Sequence, residues 1–270
     1  MRTLYVSDLD GTLLTSDQRL SPFTVDALNR LIGQGMLFSY ATARSYITAS
    51  RVTAGITPPI PVIAYNGAWM LENGTGRVLS RCGFTAEEAR DIFDTLTSHG
   101  VWPIVYSVVD GVERFSYCPR RCNQGTLDFN ATRRGDPRER PTDEANLCDG
   151  EVFYFTCIDA PEKLLPLHER YREQFQCVYS RDIYGGEQWL EMMPRRATKA
   201  DAMLELKRMF GCDRVVCFGD GVNDLPLFAA ADEGYAVANA VEELKQAATG
   251  VIGGNNEDGV ARWLLEHAEI

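Results

Sequence analysis

Histidine is scarce: the 270 residues contain three, His99, His168 and His267, each standing alone. Zinc centres draw on imidazoles or thiols at local spacing, so a zinc site is not expected. Cys118 and Cys122 lie four apart but have no second ligand pair to complete a zinc site. Positive charge is also short, with 27 Lys and Arg against 38 Asp and Glu and a formal net charge of -11. Nucleic acids and anionic membranes are bound through basic surface, so neither is an expected partner. Long apolar runs are missing too. The first stops at Asp8, too short for a signal peptide, and none has the length of a membrane span. The eight cysteines follow no disulfide framework, and Cys157 and Cys217 sit inside apolar runs as small hydrophobes. These absences together predict a cytoplasmic chain with reduced thiols. Any site for an anionic substrate must supply its own local positive charge or a metal.

What is present is an ordinary globular composition, 45% hydrophobic and 24% charged, long enough for a substantial core. "TLYVSDL" reads as a buried strand. "SPFTVDALNRLIGQG" reads as a helix with Ser21 as N-cap and Pro22 at its first position. "MLFSYAT" and "PVIAYNGAW" read as two further strands. After residue 190 the pattern resumes: "TKADAMLELKRMF" is a helix capped by Thr198, and "DRVVCFGDG" a strand running into a turn. "EGYAVAN" and "GVIGG" are further strands, with helices between and after them. Alternating strands and helices predict an α/β fold, a parallel sheet with crossover helices. The middle differs. It pairs two amphipathic helices with a hairpin turning at Asp110-Gly111 and three further strands, which predicts an α+β unit inserted into the α/β one. The segment from Arg120 to Gly150 is polar, lacks apolar periodicity and reads as a long loop.

In an open parallel sheet, ligands bind beyond the carboxyl ends of the strands. The polar residues at those ends therefore carry the functional expectation. The first strand delivers Asp8 and Asp10, the second Thr42 and Arg44, and the strand before "GDGVNDLP" delivers Asp220, Asn223 and Asp224. Lys199 opens a helix between them. Two aspartates one residue apart repel each other, and such an arrangement persists with a cation or a shared proton. A surplus of carboxylates suits a hard divalent ion with oxygen ligands, and a partly hydrated site favours Mg²⁺. Thr42 and Lys199 suit the oxygens of a phosphate. Asp8 is then placed to attack phosphorus, while Asp10 can protonate the leaving oxygen and later activate water.

"DLDGTLL", "ATAR", Lys199 and "GDGVNDLPLF" resemble, in order, the four motifs of the haloacid dehalogenase superfamily, and more narrowly its Cof-type phosphatases. "VIAYNGAW", "LEMMPRRATKADAM" and "NNEDGVARWL" match further segments of that family. The resemblance implies a Rossmann-like parallel-sheet core over 1–82 and 190–270, with an inserted α+β cap over 83–189 that sets substrate specificity. It also implies Mg²⁺, an aspartyl-phosphate intermediate and hydrolysis of small phosphate monoesters, sugar phosphates or related metabolites. Asp8 becomes nucleophile and metal ligand. Asp10 becomes acid and base, with its carbonyl on the metal. Asp220 becomes the third protein ligand, supported by Asp224. Leu9, Thr42, Ala43, Lys199 and Asn223 would hold the phosphate. Two residues depart from the family pattern: Ala43 and Ala200 stand where glycine is usual, and a positive φ at Ala43 would cost about 1 kcal/mol.

Two other functions share parts of this pattern. A sugar phosphomutase of the phosphomannomutase type would need cap arginines for a second phosphate, for which Arg120, Arg121, Arg133, Arg134, Arg138 and Arg140 are candidates. Interspersed acids make a solvated loop the preferred reading of that run. A receiver-like regulatory domain would be phosphorylated at Asp8 but would have no use for Asp10. Trp102, Tyr106, Phe115, Tyr117, Tyr184 and Trp189 are aromatic candidates for contacting a substrate. The identity of the substrate and the oligomeric state are not legible.

Overall fold

The structure, a computed structural model, describes residues 2–181 and 186–270. The expected aromatic contact Tyr184 and the end of the strand expected over "FQCVYSRDI" lie outside the described residues. The chain forms two compact units, Met1–Arg81 with Ala197–Ile270, and Cys82–Arg196.

In chain order the first unit opens with β1 (Thr3–Ser7), α1 (Pro22–Gly33), β2 (Leu37–Tyr40), α2 (Tyr46–Val52), β3 (Val62–Ala64), β4 (Trp69–Leu71) and β5 (Val78–Arg81). The second unit then adds α3 (Ala86–Ser98), β6 (Ile104–Val109), β7 (Val112–Tyr117), α4 (Gln124–Ala131), β8 (Glu139–Pro141), β9 (Glu151–Ile158), α5 (Pro161–Tyr171), β10 (Gln176–Arg181) and β11 (Gln188–Met193). The first unit closes with α6 (Lys199–Met209), β12 (Arg214–Gly219), α7 (Leu225–Ala230), β13 (Glu233–Val237), α8 (Glu242–Ala247), β14 (Gly250–Ile252) and α9 (Gly259–His267).

The main sheet of the first unit is parallel, in the order β14-β13-β12-β1-β2. Every residue of β1 is buried, which requires cover on both faces, and its apolar run reflects this. Leu4, Val6, Phe38, Val216 and Phe218 pack in one core with Leu28 of α1, Met203 of α6 and Leu264 of α9. Each such buried side chain contributes roughly 1.5–3 kcal/mol. The order β12-β1-β2 sets the carboxyl end of β1 between those of its two neighbours. Chain order also reverses there, β1 leading to β2 on one side while β12 lies on the other. Such a reversal opens a crevice at the strand ends.

The segment "PVIAYNGAW" is not one strand. It breaks at Tyr65 and Asn66, both at φ 52, and returns as β4, which pairs antiparallel with β3 and β5. β3 joins the main sheet through an isolated parallel bridge between Ala41 and Ile63, and Val62 and Ile63 pack in the same core. An Asn-Gly step that admits positive φ makes the reversal, which the strand reading overlooked.

The second unit is a six-stranded sheet, β10-β11-β9-β6-β7-β8, with a core that joins Ile92, Phe93, Leu164 and Leu167 of α3 and α5 to Phe155 and Leu190. The hairpin turns at Asp110 (φ 50) and Gly111 (φ 78), as the sequence indicates. The run from Arg120 to Gly150 is not a featureless loop: it carries α4 and β8, the latter parallel to β7. Asn123 caps α4 by accepting from the Thr126 amide at 2.9 Å, and Arg138 anchors β8 between Asp136 and Glu113. Caps and ion pairs replace the apolar stripe that the periodicity lacked. The expected return to the first unit at residue 190 falls inside β11, whose ladder with β9 and β10 holds it in the second unit.

Candidate active site

β1 ends at Ser7 and the chain leaves the sheet at Asp8, whose backbone N–H still donates to the Phe218 carbonyl of β12 at 2.9 Å. Asp8 is buried, and so is Lys199 at the first turn of α6. The Lys199 ammonium donates to Asp8 Oδ1 at 2.5 Å and to Asp224 Oδ1 at 2.7 Å. Burial alone would lower the ammonium's pKa, but Asp224 and Asp8 outweigh it and hold the group above its usual value. Burial also drives the Asp8 carboxyl well above the usual range. Lys199 opposes that shift, and the charges of Asp224 and Asp220 add to it.

Asp220 follows the last residue of β12. Its carboxyl is pushed up to about 7, first by burial and then by repulsion from Asp224. Asp224 is fully buried, and its Oδ2 accepts the backbone N–H groups of Asp220 and Gly221 at 3.0 and 3.1 Å. It thus ties the Asp220 turn to Lys199. One carboxylate oxygen from each of Asp8, Asp220 and Asp224 lies within 4.8 Å of the others.

The loop after Asp8 closes as a wide turn, in which the Leu14 amide donates to the Leu9 carbonyl at 2.8 Å. Gly11 in this turn has φ 75, and a Cβ there would overlap the Asp220 carboxyl. Glycine is demanded twice, by backbone conformation and by close approach. Thr12 Oγ1 donates to Asp220 Oδ1 at 3.2 Å, so the Asp8 loop and the Asp220 turn are joined. Leu9 has a fully buried side chain, which leaves its backbone as the part that could serve a ligand.

Thr42 is buried just beyond β2. Its amide donates to the Ile63 carbonyl at 3.0 Å, and its Oγ1 accepts the Arg44 amide at 3.1 Å. Ala43 does not take a positive φ, and Ala200 is the second residue of α6. The left-handed strain considered for Ala43 is therefore absent, and Ala200 sits in ordinary helix. The Asp10 side chain is engaged by a different cation from the one that meets Asp8 and Asp224. Arg44 grips it bidentately, Nε to Oδ2 at 2.6 Å and Nη2 to Oδ1 at 2.5 Å, and also donates to Gln18 Oε1 at 2.8 Å.

The structure thus gathers Asp8, Lys199, Asp220 and Asp224 into one buried cluster and joins Asp10 to Arg44. Asn223 reaches neither group by a side-chain hydrogen bond; its Nδ2 donates to Asn66 Oδ1 at 3.2 Å. Several polar residues that brace the site were given no role in the sequence reading. They include Arg44 and Gln18, as well as Asn66. Asn239 donates to the Gly11 carbonyl at 2.7 Å, and Asn255 to the Leu14 carbonyl at 2.9 Å, so both pin the Asp8 loop. For Asn66 and Asn255 the available signal was asparagine beside glycine, in "YNG" and "GGNN"; Asn239, in "VANAV", carries no such mark.

The profile of the haloacid dehalogenase-like hydrolases matches residues 5–264. A 5-amino-6-(5-phospho-D-ribitylamino)uracil phosphatase of Bacillus subtilis is 26% identical, over 99% of this chain and 98% of the relative. A pyridoxal phosphate phosphatase of Escherichia coli is also 26% identical, over 96% of each chain. A crystal structure from Thermotoga maritima superimposes with a TM-score of 0.79 at 25% identity, covering 100% of this chain and 99% of that one. The chain belongs to the haloacid dehalogenase-like hydrolases, in their Cof-type branch of phosphatases. Among the described residues no helix is long and apolar enough to cross a membrane.

Proposed function

We propose that the chain hydrolyses small phosphate monoesters, sugar phosphates or related phosphorylated metabolites, through an aspartyl-phosphate on Asp8. The observation that carries this reading is the buried Lys199 ammonium bonded to Asp8 and Asp224 beside a third carboxylate, Asp220. Three carboxylates face one ammonium, and repulsion among them helps push Asp8 and Asp220 up. The excess negative charge and the all-oxygen donor set fit a hard divalent cation such as Mg²⁺. Asp8, Asp220 and the Asp10 carbonyl would hold it. Both Asp224 oxygens already accept hydrogen bonds, so Asp224 supports Asp220 rather than competing with it. When bound, the ion would neutralise charge on the phosphoryl oxygens.

The chain's own residues divide the rest. An Asp8 oxygen attacks phosphorus as the ester P–O bond breaks, and Asp10 gives a proton to the departing oxygen. Water then attacks the aspartyl-phosphate while Asp10 takes its proton. Inorganic phosphate leaves and Asp8 is restored. Lys199, the Thr42 hydroxyl, the Asn223 amide and the backbone at Leu9 and Ala43 hold the phosphoryl group. All phosphate esters share that group, so discrimination among substrates falls to the inserted unit.

Hydrolysis is favoured over mutase chemistry by the state of the arginines in that unit. Arg120 pairs with Asp143, Arg121 with Glu144, Arg140 with Asp149, and Arg138 with Asp136 and Glu113. Arg133 lies on the Phe129 ring at 3.4 Å. Four of the six guanidinium groups proposed for a second phosphate thus already face carboxylates. The test is release of inorganic phosphate from a panel of phosphorylated metabolites and a generic aryl phosphate. Turnover should vanish with a chelator and return with Mg²⁺. Full turnover in metal-free protein, or delivery of the phosphoryl group to sugar instead of water, would overturn the corresponding part.

A further inference from the structure

Tyr65 and Asn66 both hold φ 52, and Gly67 follows at φ 104. Three successive residues in the left-handed region, two of them carrying side chains, form a strained turn. Strain of this kind persists only where the surroundings hold it, and the surroundings here are the phosphate-gripping elements. The Asn66 amide donates to the Thr42 carbonyl at 2.9 Å, and the Tyr65 amide to the Arg44 carbonyl at 3.0 Å. A Cβ on Gly67 would overlap the Thr198 carbonyl, so the turn lies directly against the start of the helix that carries Lys199. The buried Asn66 side chain accepts from Asn223 Nδ2 at 3.2 Å.

We propose that Asn66 is a positioning residue for the phosphoryl site, orienting the Asn223 amide through its own carbonyl oxygen. An amide NH₂ carries two hydrogens at a fixed angle in one plane. The hydrogen given to Asn66 fixes that plane, and the second is then aimed for a phosphoryl oxygen. The opposite end of the Asn223 amide, Oδ1, lies next to Gly221, where the lack of a side chain leaves it room. Asparagine suits position 66 on two counts. It tolerates the left-handed backbone better than other side-chain-bearing residues, and it presents an acceptor from there.

This inference rests on the phosphatase reading, and two variants separate side chain from backbone. Asn66→Gly keeps the left-handed backbone and removes the acceptor; Asn66→Ala removes the acceptor and adds strain. Both should lose about threefold to tenfold in kcat/KM for an aryl phosphate, the range of one neutral hydrogen bond. Inhibition by inorganic phosphate should weaken in parallel. Asn66→Ala should lower Tm further than Asn66→Gly, because it alone adds left-handed strain. In an Asn223→Ala background, Asn66→Gly should cost nothing further, because the interaction it removes is already gone. Unchanged kinetics and phosphate inhibition in Asn66→Gly, or losses that add fully to those of Asn223→Ala, would overturn the positioning role while leaving the phosphatase reading intact. A parent protein that neither turns over phosphate esters nor binds phosphate would overturn both.

Discussion

Among the described residues, each unit buries a cation between two carboxylates, yet the two arrangements differ in charge balance. In the second unit, Arg138 donates through Nε and Nη2 to Asp136 at 2.9 and 2.6 Å and through Nη1 to Glu113 at 2.6 Å. Its backbone amide also reaches Asp136, at 2.9 Å. A planar fork meets its acceptors edge to edge and closes a structural knot around β8. In the first unit, Lys199 is a point charge with three hydrogens, of which Asp8 and Asp224 take two. Beside it stands Asp220, held by Thr12 but by no cation among the described ion pairs. A balanced pair stabilises. The Lys199 cluster keeps surplus negative charge, which is what the proposed cation and phosphoryl site requires.

That contrast orders the expected effects of substitution. The greatest belongs to Asp8: Asp8→Asn should abolish turnover and leave no phosphoenzyme in rapid-quench labelling. Asp10→Asn should still accept a phosphoryl group from an activated aryl ester, with hydrolysis slowed roughly 10² to 10⁴. Identical behaviour of the two variants on that ester would refute the division of roles. Lys199→Ala comes next. It removes the cation common to two buried carboxylates, so kcat/KM should fall for every substrate in a panel together. Loss of one substrate with retention of the others would place Lys199 in specificity instead.

In the second unit the same operation should touch stability and spare chemistry. Arg138→Ala leaves Asp136 and Glu113 without their buried partner, and should lower unfolding free energy by about 3–5 kcal/mol in urea denaturation. Once folded, the variant should turn over a small aryl phosphate at close to the parent rate. The smallest effect belongs to Arg120, whose ion pair with Asp143 is exposed, with side-chain exposures of 74% and 72%. Arg120→Ala should leave the denaturation midpoint unchanged, because solvent screens such a pair. A large loss at Arg120 would mean that exposure does not separate the two kinds of arginine.

Much of the first unit was legible along the chain. Asp8, Thr42, Asp220 and Asp224 follow apolar strand runs, and the period of those runs is a local property. Ser21 and Thr198 cap their helices through amide bonds from Thr24 at 3.0 Å and Asp201 at 2.9 Å, as their residue types suggest. The hairpin at Asp110-Gly111 was legible for the same reason, since the turn chemistry sits in two adjacent residues. Reading failed where local signals conflict. "PVIAYNGAW" has the apolar density of one strand, but its Asn-Gly step reverses the chain. The Arg120–Gly150 run has no apolar stripe, because ion pairs and one capped helix organise it.

What the sequence by itself determined is therefore the inventory of chemistry and its order: carboxylates, a hydroxyl, an ammonium and amides at the ends of strands and helices. The pairing of those groups was decided only by tertiary structure. Lys199 meets Asp8 across 191 residues because the parallel order β12-β1-β2 brings distant strand ends to one edge. Arg44 closes on Asp10 for the same reason, and Asn66 reaches Asn223 from the turn after β3, which the Ala41–Ile63 bridge sets beside the end of β2. Backbone propensity and periodicity act over a few residues, whereas a contact between remote side chains exists only once the sheet has set its strand order.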